Sequence, residues 1–209
     1  MALGGLDIGT SGCKCTIMTA GGELLASCYQ AYAVSRTASA HEVEGRVIWE
    51  AVRTVIAGAC AKSREPMTAL CVTSFGESCA LLDDQGRELG PILLYTDPRG
   101  QEQCDQLTEK LSEERIYDIC GHRPNPTYFL PKLMWFRQNQ PELYEKIRYV
   151  LPVNAYIVFR LTGEAVADYS LAARTMMLDI RTRDWSAELL EAAGIDRGIL
   201  PRVIQTGTA

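Results

Sequence analysis

The sequence predicts an α/β fold in which a mixed β-sheet flanked by helices is followed by a largely helical second part. Three observations predict it. Residues 3–8, 13–19 and 24–33 read as three successive strands joined by glycine-bearing turns. A helix over residues 45–62 separates them from a further apolar strand at 67–72, and the order β-β-β-α-β calls for a mixed rather than a purely parallel sheet. After Gly100 the texture changes to helical periodicity.

The joints of the opening meander are Gly9 to Gly12 and Ala20-Gly21-Gly22, rich in residues that tolerate positive φ. In the helix that follows, Ile48, Ala51, Val52, Val55, Ile56 and Ala59 recur at helical spacing. The run Met67 to Val72 ends in "TSFGES"; a short strand at Cys79 to Leu82 closes on the turn "DDQG", and "PILLYTD" over 91–97 reads as a strand ending on an acid. Helices are expected over 100–114, 129–138, 141–147 and 152–161, with Pro141 and Pro152 in first-turn positions and a short strand at Tyr149 to Leu151. The stretch from 168 reads as a loop, a strand-like "TMMLDI", a turn and a last helix from Ser186 to Ala193. Trp49, Trp135 and Trp185 are read as core anchors and His122 as a loop residue.

At 209 residues, 47% hydrophobic and 22% charged, the chain can bury a sizeable core. A formal net charge of -5, with no stripe of Lys and Arg, argues against nucleic acid or an anionic membrane as partner. No apolar run reaches the roughly 18–20 residues of a membrane span, and no charged n-region precedes a long apolar h-region, so the protein reads as cytoplasmic. The eight cysteines contain no CxxC pair and are joined by only His41 and His122, which favours reduced thiols packed as small hydrophobes over a zinc site.

The informative stretch is "LDIGTSGCK". A tight turn of Gly9, Thr10, Ser11 and Gly12 can aim backbone N–H groups and two hydroxyls at one spot, a concavity that suits phosphate oxygens. Lys14 adds a point charge. Asp7 repels a phosphate unless a cation mediates, which implies Mg2+ held by Asp7 together with water and phosphate oxygens. The glycines sit inside a hairpin, unlike those of a P-loop or a dinucleotide fingerprint, and the stretch alone also reads as a good hairpin with an edge aspartate. Three more polar clusters end predicted strands, where open α/β sheets place ligands: "TSFGES", "YTDPR" and "ADYS". Their acids Glu77, Asp97 and Asp168 could each accept hydrogen bonds from several hydroxyl groups, as a sugar or polyol demands; taken singly, each also reads as a solvated turn residue.

These residues carry a resemblance to the FGGY family of carbohydrate kinases, the group that contains xylulokinase, gluconokinase and glycerol kinase. "LDIGTSGCK" resembles the family's first phosphate motif, and "HEVEGRVIWEAV" its EQDPxxWW helix entry, with Gly45 for proline and Ile48 for the first tryptophan. "ILLYTDPRG" resembles ILWxDxR, "KLMWFRQNQPELYEKIRYVLPVNAYIVFRLTGE" the KLLW…RLTGE block, and "ADYSLAARTMMLDIRTRDW" the TDxSxASxTxLLDxxxxxW segment. The resemblance covers the whole chain. It implies a ribonuclease H-like domain of the actin-like ATPase superfamily, with a mixed sheet, flanking helices and a largely helical insertion. It implies ATP and Mg2+ as cofactors and a sugar or polyol as the small-molecule partner, and leaves a homodimer of the full-length protein open. Asp7 would hold the metal, and Gly9, Thr10, Ser11 and Lys14 would face the nucleotide phosphates. Glu77, Ser78, Asp97, Arg99, Thr127, Tyr128 and Asp168 would line the sugar site. Some members carry an arginine where this chain has Gly76, so the substrate is not fixed by the resemblance.

No catalytic base is expected in these 209 residues; the resemblance places the general-base aspartate beyond Ala209. In the family it belongs to a GGxDxxA motif, which this chain lacks, and the second, adenosine-binding domain is absent too. The chain therefore reads as the N-terminal portion of a sugar kinase, inactive alone; the alternative is a non-catalytic sugar-binding or regulatory module of the same fold.

Overall fold

The computed structural model describes residues 1–208. Ala209, and with it the expectation of a general-base aspartate beyond that residue, lies outside the described residues, as does the last position of the domain expected over 1–209. The chain runs β1 (Ala2–Ile8), β2 (Gly12–Thr19), β3 (Leu24–Ala31), β4 (Ser35–Arg36), β5 (His41–Val43), α1 (Gly45–Lys62), β6 (Met67–Ser74), β7 (Cys79–Leu82) and β8 (Ile92–Leu93). It continues through α2 (Gln101–Leu111), α3 (Glu113–Cys120), α4 (Phe129–Asn139), α5 (Pro141–Tyr144), β9 (Tyr149–Pro152), α6 (Val153–Thr162), β10 (Val166–Asp168), α7 (Tyr169–Ala173), β11 (Leu178–Asp179), β12 (Asp184–Trp185), α8 (Ala187–Ala193) and β13 (Arg202–Ile204). These elements form two compact units, one of Met1–Ser35 with Val43–Phe75, the other of Arg36–Glu42 with the residues from Gly76 onward.

The first unit is a four-stranded sheet in the order β3-β2-β1-β6, antiparallel from β3 to β1 and parallel between β1 and β6. This is the mixed sheet that the strand order called for. Along β1, side chains alternate between faces, so Ala2, Leu6 and Ile8 are buried while Leu3, Gly5 and Asp7 are exposed. The buried face of α1, with Ile48, Val52, Val55 and Ala59, packs on β2 and β3 over Cys13, Cys15, Ile17 and Ala26.

In the second unit, β7 pairs antiparallel with β9, β10 parallel with β13, and β11 antiparallel with β12, among helices α2 to α8. Several expectations change here. The single helix expected over 100–114 breaks at Ser112, whose φ of 62° ends α2 while its hydroxyl caps α3 by accepting from the Arg115 amide at 3.3 Å. The strand expected over 91–97 is confined to Ile92–Leu93, because the chain turns where the Asp97 amide bonds the Leu94 carbonyl at 3.0 Å. "TMMLDI" keeps only Leu178–Asp179 extended, since Met176 adopts a φ of 63°. The loop expected from Asp168 up to "TMMLDI" is instead the end of β10 followed by α7. Pro141 opens α5, which stops at Tyr144 rather than 147; Pro152 ends β9 and precedes α6 instead of lying in its first turn.

Five cysteines are buried, but Cys60 and Cys71 are exposed, so the small-hydrophobe reading does not extend to them. Trp185 is buried, whereas Trp49 and Trp135 are only half-buried. No helix among the described residues is long and apolar enough to cross a membrane.

Candidate functional site

The residues expected to meet phosphate lie together at one end of the first unit's sheet. Asp7, the penultimate residue of β1, is exposed and faces Lys14 across β2 and Thr73 across β6. The turn is closed by the Gly9 amide on the Gly12 carbonyl at 2.9 Å, and Tyr32 fixes its outer side through its hydroxyl on the Gly9 carbonyl and its amide on the Ser11 carbonyl at 3.1 Å. Burial, with the nearby Cys13, Tyr29 and Asp7 adding to it, pushes the Tyr32 phenol up, so the hydroxyl stays a donor. Among the described residues the amides and hydroxyls of Thr10 and Ser11, the Asp7 carboxylate and the Lys14 ammonium have no hydrogen-bond or ion-pair partner.

That donor set fits a magnesium-bound phosphate. Two amides, two hydroxyls and a lysine suit phosphate oxygens, and one carboxylate is what Mg2+ takes when water and phosphate fill the rest of its shell. No cluster of three or more His, Cys, Asp or Glu among the described residues could hold a metal by protein ligands alone. Gly12 is required for another reason than phosphate approach: a Cβ there would come 2.4 Å from Tyr29 Oη and 2.7 Å from the Gln30 carbonyl oxygen.

The second unit gathers most of the expected sugar-binding residues around a lysine that the sequence reading passed over. Lys132, on α4, is completely buried, and its ammonium donates to the Pro126 carbonyl and, at 3.0 Å, to the Thr127 carbonyl, fixing the loop before Tyr128. Burial pushes its pKa from 10.5 to about 8, opposed by the carboxylates of Asp97 and Glu77, which lie within electrostatic reach. Lys132 therefore relates Glu77, Asp97 and Thr127 to one another.

Asp97 is braced rather than available. Its Oδ2 accepts from the His41 amide at 2.8 Å and from Arg99 Nη2 at 2.6 Å; its Oδ1 accepts from Arg99 Nε at 2.8 Å and from the Arg99 amide at 3.1 Å. These bonds fill the roughly four lone-pair sites of a carboxylate. Burial alone would raise the Asp97 pKa, but the bonds from Arg99 and His41 outweigh it and hold the carboxyl below its ordinary value. Arg99 also reaches Glu42 at 2.5 Å and lies over the Trp135 ring at 5.1 Å.

Glu77 adopts a φ of 60°, uncommon for a side chain of its size, and its carboxylate is gripped by Arg174. Arg174 in turn stacks over Tyr128, whose hydroxyl lies 3.2 Å from His122 Nδ1. His122 is thus more than a loop residue: its ring is 4.8 Å from that of Tyr128, and burial together with Arg174 lowers its pKa. Ser78 is 2% exposed, and its hydroxyl has no partner among the described residues.

Asp168 serves the local fold. Its carboxylate caps α7 through the amides of Ser170 and Leu171 and accepts from Asn154 Nδ2 at 2.9 Å and Thr206 Oγ1 at 2.8 Å. Asp168→Ala should lower stability by about 1–2 kcal/mol as the cap is lost, read as a lower urea midpoint at unchanged m-value; an unchanged midpoint would refute the capping role.

Sequence reasoning named the acids but missed Lys132, Arg174, His41 and Glu42. One signal was legible: a lysine inside "FLPKLMWF" stands in an apolar helix that buries nearly every neighbour, where an unpaired charge is rare.

Comparison with known proteins shows the family and the fold. The family model "FGGY family of carbohydrate kinases, N-terminal domain" matches residues 2–209. A xylulose kinase of Escherichia coli K12 is 33% identical over 203 residues, covering 96% of this chain and 42% of that protein. An L-fuculokinase of the same organism is 37% identical over 138 residues, 66% of this chain and 29% of that protein. The crystal structure of a ligand-bound xylulose kinase from Lactobacillus acidophilus shares 25% identity and a TM-score of 0.91 over 98% of this chain and 42% of that one. The chain spans about two fifths of the length of the xylulose kinases it matches. Its mixed sheet with flanking helices has the ribonuclease H-like fold of the actin-like ATPases, as the resemblance implied. With a family match running from residue 2 to the last, the chain belongs to the FGGY family of carbohydrate kinases, as an N-terminal domain.

Proposed function

We propose that the chain supplies the acceptor-binding surface and first phosphate loop of an ATP-dependent kinase that phosphorylates a hydroxyl group of a sugar or polyol. The observation that supports this reading is the buried Lys132 ammonium, which bonds the Thr127 carbonyl at 3.0 Å and lies within electrostatic reach of the Glu77 and Asp97 carboxylates.

In this reading Glu77 accepts from sugar hydroxyls, Tyr128 and Thr127 form the wall that Lys132 fixes, and Asp97 with Arg99 braces the floor without touching the substrate. ATP with Mg2+ supplies the phosphoryl group and neutralises charge on it. Thr10, Ser11 and Lys14 bind and orient its phosphates, and Asp7 holds the metal through its carboxylate. Phosphoryl transfer rests on positioning and charge stabilisation, with a carboxylate orienting the nucleophile. No residue on the described face is assigned that last role. It belongs to the remainder of a longer protein, and the chain alone turns over negligibly.

A coupled ADP-release assay with xylulose first in a panel of pentoses, ketoses and polyols tests this. The intact protein should phosphorylate at least one of them, and the 209-residue chain none above background. Robust turnover by the chain alone would overturn the division of labour. Sugar-induced thermal stabilisation of the intact protein without turnover would favour a binding module instead.

A further inference from the structure

Glu77 is engaged through only one of its oxygens. Oε1 accepts from both Nε, at 2.6 Å, and Nη2 of Arg174, while Oε2 and the Nη1 of Arg174 have no partner among the described residues. The pair thus keeps one carboxylate oxygen free to accept, and three of the five N–H groups of Arg174, one on Nη2 and two on Nη1, free to donate. Arg174 is held in place from two sides. Its guanidinium carbon lies 5.4 Å from the centre of the Tyr128 ring, and its stem crosses Gly76, where an added Cβ would come 3.2 Å from both Cβ and Cγ of Arg174. The Glu77 side chain is 12% exposed and that of Arg174 44%, so the pair lies at an accessible edge.

Adjacent hydroxyl groups on a sugar are each donor and acceptor, and an acceptor beside a charged donor can bond one with each atom. We propose that Glu77 and Arg174 act as a single unit reading two neighbouring hydroxyl groups of an uncharged sugar or polyol, and that residue 76 is glycine because Arg174 occupies the space a side chain would need. The proposal rests on the kinase reading and deepens it. The substrate is uncharged because neither guanidinium of the cluster lacks an anion: Arg174 holds Glu77, and Arg99 holds Asp97 and Glu42, while the Lys132 ammonium is fully buried. A sugar acid finds no unpaired cation there.

Steady-state kinetics on the intact protein test it, with the neutral sugar found by the ADP-release assay. Arg174→Ala should raise the sugar KM on the order of 10–100-fold while the ATP KM stays within about twofold. Arg174→Lys should recover only part of the loss, because a point charge cannot replace the fork. Gly76→Ala should push the arginine aside and act in the same direction, and the double variant Gly76→Ala with Arg174→Ala should be no worse than Arg174→Ala alone. With a deoxy analogue lacking one of the two hydroxyls, the Arg174→Ala effect should shrink. An unchanged sugar KM in Arg174→Ala, additive effects of the two substitutions, or a preference for the aldonic acid over the neutral sugar would overturn the proposal. Titration calorimetry of the same variants with sugar alone reads the pair without turnover, so failure of the kinase reading is distinguishable from failure of this one.

Discussion

Lys132→Met leaves the protein folded, with stability within about 1–2 kcal/mol of the parent, and raises the sugar KM on the order of 10–100-fold. Two effects of opposite sign decide the first part. Burial, only partly offset by the Asp97 and Glu77 carboxylates, brings the ammonium's pKa from 10.5 to about 8, so holding it charged at pH 7 costs the folded state about 3 kcal/mol relative to the unfolded chain. Methionine removes that cost and fills much of the same volume. Against it stand the Pro126 and Thr127 carbonyls, left without their donor, at about 1–3 kcal/mol for each buried acceptor. The terms nearly cancel, so stability does not explain the lysine. Its bonds to the Pro126–Thr127 loop, within electrostatic reach of Asp97 and Glu77, do. A variant destabilised by more than about 3 kcal/mol with unaltered sugar affinity would reverse that conclusion.

The same group sets a pH dependence. Its pKa is lower folded than unfolded, so between pH 8 and 10.5 the unfolded chain binds more protons and this group's contribution to stability rises with pH. Over that interval parent and Lys132→Met should diverge in urea midpoint, the parent gaining. Sugar affinity should move the other way in the parent, weakening as pH rises through about 8 and the ammonium is lost, while Lys132→Met shows no such step.

Gly12→Ala is the second large effect, expected to lower stability by about 1–3 kcal/mol and Tm by roughly 2–10 °C. Tyr29 is largely exposed and can swing from the new methyl group, but the Gln30 carbonyl oxygen, 2.7 Å away, belongs to the paired strand and yields only if β2 and β3 separate. Because Tyr32 follows β3 and ties down Gly9 and Ser11, that separation also disturbs the phosphate turn, so the stabilisation produced by Mg-ATP should shrink. Gly5→Ala is the control: nothing lies within 4 Å of its Cβ position, and melting should be unchanged or slightly raised. Equal melting of the two variants would sink the packing argument.

The first unit was legible because its signals are local. The alternation of β1 and the helical spacing in α1 lie within single elements, and α1 spans the expected residues 45–62. The interruptions at Ser112 and Met176 were not, since each places a non-glycine residue at positive φ, where surrounding structure overrides propensity. The polar clusters pointed to acids as candidates for the site, but not to what each acid does. That depends on partners far along the chain: His41 lies 56 residues before Asp97, and Arg174 97 residues after Glu77. Asp97 and Asp168 look alike as strand-end acids, yet one is saturated by a guanidinium and two backbone amides and the other caps a helix.

The short excursion of residues 36–42 into the second unit bears on dissection of the molecule. A piece begun at Gly76 would lack the His41 amide and the Glu42 carboxylate, leaving Asp97 and Arg99 each short of a half-buried partner. Closing that long intervening stretch carries a chain-entropy cost that local helices such as α4 do not bear, so the braced floor should be among the later parts to assemble during refolding and the first to open to hydrogen exchange.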